Sequence, residues 1–201
     1  PGIPLIPQLI QAQVDGTAES KPGALTLDVA LKDCARVAVA LHKTEIALSK
    51  PRTLEDELAS LAEQMQPVQE FSLALAMQLQ NVIRQLQAFA QQTKPLPLCL
   101  SHGDFTYTQL IFDDESCGLV DFDTMCEAEP ALDLGQFLAY LRLTASKIQH
   151  SSTAGAELAA DELCTQFLDT YMQGAGYREA KAEQLLERVA VYEIISLLRI
   201  A

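Results

Sequence analysis

No run of apolar residues in this chain approaches the roughly 20 needed to cross a bilayer, and the first residues, PGIPLIPQLIQAQ, lack a basic stretch followed by a small-residue cleavage site. A soluble, cytoplasmic protein is therefore expected. No C-x-x-C pair occurs either. The five cysteines, Cys34, Cys99, Cys117, Cys126 and Cys164, form an odd set that suggests neither a disulfide framework nor a zinc ribbon and suits a reducing compartment. Basic side chains are scarce: 14 lysines and arginines stand against 27 acidic residues, a formal charge of -13. That balance opposes phosphate backbones and anionic membranes by Coulomb repulsion, so neither nucleic acid nor membrane is expected as a partner. Internal repeats and low-complexity segments are also missing. What remains is 201 residues, 49% hydrophobic and 20% charged, enough for a sizeable core and within the usual range of one domain.

Pro1, Pro4 and Pro7 predict an extended start, and Lys21-Pro22-Gly23 closes a loop, so residues 1–24 are read as a linker. Helical spacing follows over Leu27, Leu31, Cys34, Val37, Ala38 and Leu41. Thr53-Leu-Glu-Asp has the form of a capping box and opens a second helix with Leu54, Leu58, Leu61 and Met65 on one face. That helix breaks near Pro67, and a third is predicted with Phe71, Leu75, Leu79, Val82, Leu86 and Phe89 as its stripe, ending before Lys94-Pro95. Three short apolar runs come next, at 98–100, 110–112 and 119–122, with Asp113 to Gly118 turning the second back on the third. Asp113, Asp114 and Glu115 read as a solvated hairpin tip. After Glu129-Pro130 the helical period returns in Leu134, Phe137, Leu138 and Leu141. Two more helices are predicted from about Glu157 and Glu179, parted by Gly174 and Gly176, the last being apolar nearly all round and ending the chain as a buried helix.

The middle of the chain reads LCLSHGDFTYTQLIFDDESCGLVDFDTMCEAEPALDLGQF. Its polar residues fall where short strands end, so loop side chains can converge there. Asp104 and Asp121 form the most informative pair. Phosphoryl transfer needs a carboxylate near the acceptor hydroxyl and hard oxygen ligands for a Mg²⁺ ion that neutralises phosphates. Asp104, Gln109 and Asp121 could supply those oxygens. Asp133, just after the first turn of its helix, reads as a complement to that helix's positive end. Cys117 and Cys126 read as small buried hydrophobes.

In order, His102-Gly103-Asp104-Phe105, Gln109, Val120-Asp121-Phe122-Asp123, Glu129-Pro130 and Asp133-Leu134 resemble the H-G-D, N, I-D-[FW]-[DE] and D-P-x-x-D-L pattern of the aminoglycoside phosphotransferase and choline kinase superfamily. Pro1-Gly2 resembles the hinge that follows the N-terminal lobe, and Ala40-Leu41-His42 the next helix. The resemblance implies a mainly α (α+β), protein-kinase-like C-terminal lobe over residues 25–201, with a small antiparallel β element carrying the active-site loops. It implies an ATP- and Mg²⁺-dependent phosphotransferase acting on a hydroxyl of a small polar molecule: an aminoglycoside, a sugar or an amino alcohol. Asp104 would take the acceptor proton and His102 would brace the catalytic loop. Asp121, Gln109 and Asp123 would serve the metal and nucleotide, and Asp133 would receive hydrogen bonds from the loop backbone. Gln109 departs from the usual asparagine, a departure that maltokinase-like sugar kinases share. The glycine-rich loop and strand lysine that grip ATP in such enzymes are not found in this sequence. The expectation is a lobe whose missing N-terminal partner must complete it, inactive alone, with a catalytically inert binding or regulatory module as the other reading.

Overall fold

The computed structural model describes residues 4–18, 25–48, 51–113, 116–151 and 160–200. The hinge-like Pro1-Gly2, the Lys21-Pro22-Gly23 loop, the hairpin-tip residues Asp114 and Glu115, and Glu157 lie outside them.

The segment expected to be extended is instead a helix, α1 (Leu5–Val14), with Ile6, Ile10 and Val14 buried. Its prolines explain how. Pro4 is the residue before the first turn and Pro7 lies within that turn, where backbone N–H groups have no intrahelical partner to lose. Helix α2 (Leu27–His42) is capped by the Thr26 side chain, which accepts from the Val29 N–H, and buries Leu27, Ala30, Leu31, Cys34, Ala35 and Ala38. Helix α3 (Leu54–Gln64) begins with the predicted capping box, Thr53 and Asp56 serving each other's backbone. The short α4 (Val68–Phe71) and long α5 (Leu73–Gln92) follow. Here the predicted stripe is displaced. The inner face of α5 is Ala76, Ile83, Leu86 and Ala90, while Phe71, Leu75 and Phe89 are exposed. The reason is that Phe71 belongs to the preceding turn, and α5 packs chiefly on α3 and α4, so only a narrow side is covered.

Five short strands interrupt the helices. β1 (Pro51–Arg52), β2 (Cys99–Ser101) and β5 (Cys126–Ala128) form one sheet in the order β1-β5-β2. β1 runs parallel to β5 and β2 antiparallel to it. β3 (Leu110–Phe112) and β4 (Cys117–Leu119) make the expected antiparallel hairpin, in register Leu110 to Leu119. The third apolar run is a strand only to Leu119; Val120 and the residues after it turn away toward the site.

The core sits around α6 (Pro130–Ser151), buried on nearly every side through Leu141, and flanked by α7 (Ala160–Ala175) and α8 (Ala180–Ile200). Phe137 of α6 stacks on Phe167 of α7 with ring centroids 4.2 Å apart, adding to the area each buries. α6 and α8 approach closely because of Gly135: a Cβ there would lie 2.6 Å from Tyr192 Cβ and 2.7 Å from the Glu193 nitrogen. Beneath the sheet, Arg188 of α8 makes a two-point ion pair with Glu129, both buried. Each leaves the other no uncompensated charge. No helix among the described residues is long and apolar enough to cross a membrane.

Candidate active site

The catalytic-loop candidate, His102-Gly103-Asp104-Phe105, leaves the end of β2. Gly103 has a positive φ of 79°, and a Cβ on it would lie 2.4 Å from the Thr124 carbonyl oxygen, so glycine alone fits the bend. Asp133, in the first turn of α6 and fully buried, accepts from the His102 N–H at 2.7 Å and the Gly103 N–H at 2.9 Å. The oxygen that takes the His102 N–H, Oδ2, is shared with His42 Nε2 at 3.1 Å, while Oδ1 takes the Gly103 N–H. The other His42 nitrogen faces the Tyr171 hydroxyl at 2.8 Å, so the ring spans from α7 to the carboxylate. Three residues after Asp133, Gln136 accepts from the Phe105 N–H at 3.1 Å and donates to the Gly103 carbonyl at 3.0 Å. That carbonyl also receives Arg52 Nη1 at 3.0 Å.

His102 is fully buried and donates from Nε2 to the Val120 carbonyl at 2.9 Å. Its ring meets Phe105 and Phe122 edge-on, while Thr124 Oγ1 donates to its carbonyl at 2.8 Å. The imidazole thus ties the loop to the residue before Asp121 and does not face the solvent side of the site. With the N–H and carbonyl of both His102 and Gly103 engaged, Asp104 follows half-buried.

The second carboxylate comes from the hairpin. The Val120 N–H donates to the Gln109 carbonyl at 3.0 Å, which brings the residues before β3 and after β4 side by side. Asp121 follows, exposed, with φ 65° and ψ 65°, a left-handed conformation that aspartate adopts more readily than most residues. The Gln109 amide then donates to both carboxylates, to Asp104 Oδ2 at 3.1 Å and to Asp121 Oδ2 at 3.3 Å. One amide bridging two carboxylates sets them around a single point. Asp123 sits on the exposed 3-10 turn Phe122–Thr124, and none of the contacts described ties it to that point. No cluster of three or more His, Cys, Asp or Glu side chains fit for a metal occurs among the described residues. Two carboxylates and an amide nevertheless match Mg²⁺, which takes one or two carboxylates and fills its remaining positions with water and phosphate oxygens. A half-turn of the Gln109 amide would present its oxygen instead of its nitrogen to the same point.

Beside Asp104, Tyr107 and Tyr140 meet edge-to-face, centroids 6.2 Å apart, and the Tyr107 hydroxyl bonds Thr144 Oγ1 at 2.6 Å. Burial and the Asp104 charge push the Tyr140 phenol up from its ordinary value.

The structure therefore gathers Asp104, Gln109 and Asp121 in one place, with His102 and Asp133 supporting them from within. Of the two readings of Asp133, the geometry displays the hydrogen bonds to the loop. Sequence reasoning missed His42 as a strut, Gln136 and Arg52. Gln136 had a signal, its i+3 position after Asp133 on the face of α6 that meets the loop. Arg52 had none. It is oriented by an ion pair with the buried Glu57, which Arg199 of α8 shares through an Nη1 contact of 2.6 Å, a contact made only by folding.

The model of the phosphotransferase enzyme family matches residues 6–188. A search of curated protein sequences finds no match. Among solved structures, a glucosamine kinase is similar over 97% of this chain and 52% of its own length, at 19% identity and a TM-score of 0.62. An aminoglycoside-3'-phosphotransferase of type VIII matches 84% of the chain and 59% of itself, with 17% identity and TM-score 0.56. An ethanolamine kinase of Plasmodium vivax matches 85% and 52%, with 15% identity and TM-score 0.57. These likenesses establish a shared fold. The chain spans only a little over half the length of each.

Proposed function

The chain belongs to the phosphotransferase enzyme family, and on that premise we propose that it forms the catalytic lobe of an ATP-dependent kinase. Its acceptor would be a hydroxyl of a small polar molecule: a sugar, an aminoglycoside or an amino alcohol. The observation that carries the reading is the Gln109 amide held between Asp104 and Asp121. A packing role gives no reason to bring two carboxylates to one half-exposed point, since unpaired like charges repel.

In this reading Asp104 accepts the proton of the acceptor hydroxyl and sets its direction of attack. Its position is fixed through Gly103 by Asp133, Gln136 and Arg52, so little reorganisation is left for the reactive step. Asp121 and Gln109 would hold Mg²⁺, which when bound supplies the positive charge that neutralises the nucleotide phosphates. The exposed apolar side chains of Ile111 and Val120, next to Gln109 and Asp121 in the hairpin, suit the flat face of a purine. Tyr107 and Tyr140 wall the Asp104 side, where the acceptor would enter. A glucosamine kinase of this fold is known with glucosamine, ADP and inorganic phosphate bound, which makes an amino sugar the first acceptor to try.

The test is phosphorus NMR of the protein carrying this chain, with ATP, MgCl₂ and in turn glucosamine, ethanolamine and kanamycin. A phosphorylated acceptor is expected, and Asp104→Asn is expected to slow its formation by about 100-fold or more, the scale of general-base catalysis. ATP that stays intact with every acceptor, or an Asp104→Asn variant as fast as the parent, would refute the reading.

A further inference from the structure

Along α5, Leu75, Leu79, Val82, Leu86 and Phe89 are spaced alternately by four and three residues, the repeat with which two helices pair along a seam. The packing on α3 and α4 covers one side of that seam only. Leu86 is buried and Leu79 and Val82 are half-buried, while Leu75 and Phe89, at the two ends, stay 47% and 36% exposed. Phe71, 88% exposed, stands just before the helix. The open side is flanked by Ala74, Gln78, Asn81, Gln85 and Ala88, all exposed and none of them charged. Arg84 is the one charged residue of α5, and the repeat puts it on the face turned away from the seam.

We propose that this open side is a self-association surface, taken by α5 of a second copy of the chain in antiparallel pairing about Val82. Charge selects the partner. Each copy carries -13, and α2, α3, α7 and α8 present the exposed acids Asp28, Glu55, Asp161 and Glu183, so two copies repel where those faces meet. An apolar seam between alanine and amide flanks meets its own likeness without that repulsion. A strongly basic or acidic partner finds no opposite charge along it, and an anionic membrane finds no row of lysine or arginine. The helix is already held by its own lobe, so association has only side chains to order.

A twofold axis at Val82 sets Leu75 against Phe89 of the second copy, closing the two exposed ends on each other. It also sets Gln78 against Gln85 of that copy, at flanking positions whose charges decide partner and orientation in paired helices. The inference does not depend on the phosphotransferase reading, because mass is measured without turnover.

Sedimentation equilibrium of the protein carrying this chain, over a range of concentrations, tests it. Twice the single-chain mass is expected as concentration rises. Gln78→Glu with Gln85→Glu brings like charges together at exposed positions and should raise the dissociation constant by about 10-fold or more. Gln78→Glu with Gln85→Lys brings opposite charges together and should restore or tighten the dimer. Gln80→Glu with Gln87→Glu adds the same charge on the other flank and should weaken it far less. A single-chain mass at every concentration, as when another part of the protein covers the seam, would overturn the proposal. So would a like-charge variant that dimerises as tightly as the parent, an opposite-charge variant as weak as the like-charge one, or equal weakening by the two pairs of glutamates.

Discussion

Replacing Asp133 with asparagine changes one atom's chemistry at the point where α6 holds the His102–Phe105 loop. The carboxylate accepts three hydrogen bonds, from the His102 and Gly103 amides and from His42. An asparagine amide offers one oxygen and one NH₂, so one of its ends must face a donor. If the oxygen stays with Gly103, the NH₂ meets His42 and the His102 N–H. His42 can adapt by exchanging its ring proton, since the Tyr171 hydroxyl beyond it can accept as well as donate. The His102 N–H cannot adapt and is left buried without a partner. An orphaned buried donor costs about 1–3 kcal/mol, and bonds to a charged acceptor contribute about 1.5–3 kcal/mol each, so a net loss of about 3 kcal/mol is expected. With a urea slope of about 2 kcal/mol per molar, the unfolding midpoint should fall by about 1.5 M. Far-ultraviolet circular dichroism in urea measures it. Hydrogen exchange at His102 and Gly103 should accelerate at the same time, as local opening of the loop becomes easier. A midpoint within about 0.3 M of the parent, beyond the error of such titrations, would show that the Asp133 network does not hold the loop.

Gly135→Ala should destabilise by about 2 kcal/mol, the overpacking scale, because the new methyl meets the backbone of α8 and not a movable side-chain end. A drop in melting temperature of about 4–8 °C is expected for a chain of this size, and an unchanged melting temperature would refute the contact. Stability should also fall in alkali. Burial pushes the Cys99 and Cys164 thiols up to about 12 from 9.0, so the folded state keeps protons that the unfolded chain releases. Their contribution is complete below pH 9 and is lost as pH rises toward 12. A Cys99→Ala, Cys164→Ala double variant should therefore lose less of its urea midpoint between about pH 8 and about pH 10.5 than the parent; an equal loss would remove the thiols as the cause.

The central string was legible in the sequence because five short elements in order resemble one family's pattern, and because its polar residues fall where short strands end. The start of α2 and the capping box of α3 were legible because they are local, each set by residues within four positions. Helix α1 was misread because proline was weighed without its position; in a first turn it costs the helix nothing. The α5 stripe was misread because periodicity tells that a face exists, but only its neighbours decide which face is covered. Arg52 and His42 act through partners far away in the chain, and no local pattern announces such a pair. Asp123, two residues after Asp121 on the exposed 3-10 turn, is carried by the motif alone.

The Arg199–Glu57 contact spans 142 residues and the His42–Asp133 contact 91. Closing loops of that size has to be achieved before either contact can stabilise anything. The brace on Arg52, one of the three groups that hold Gly103, is therefore completed only once α8 has docked on α3, whereas Asp133 and Gln136 of α6 hold the same residue without it. A ribosome that has released the chain only as far as α7 carries Asp104 and Asp121 already, yet has no Arg199 to hold Glu57 and, through it, Arg52. In the reverse direction, loss of the Arg199 contact would free Glu57 and, through it, Arg52 and the Gly103 carbonyl, so α8 and the His102–Phe105 loop are coupled through a chain of three charged side chains.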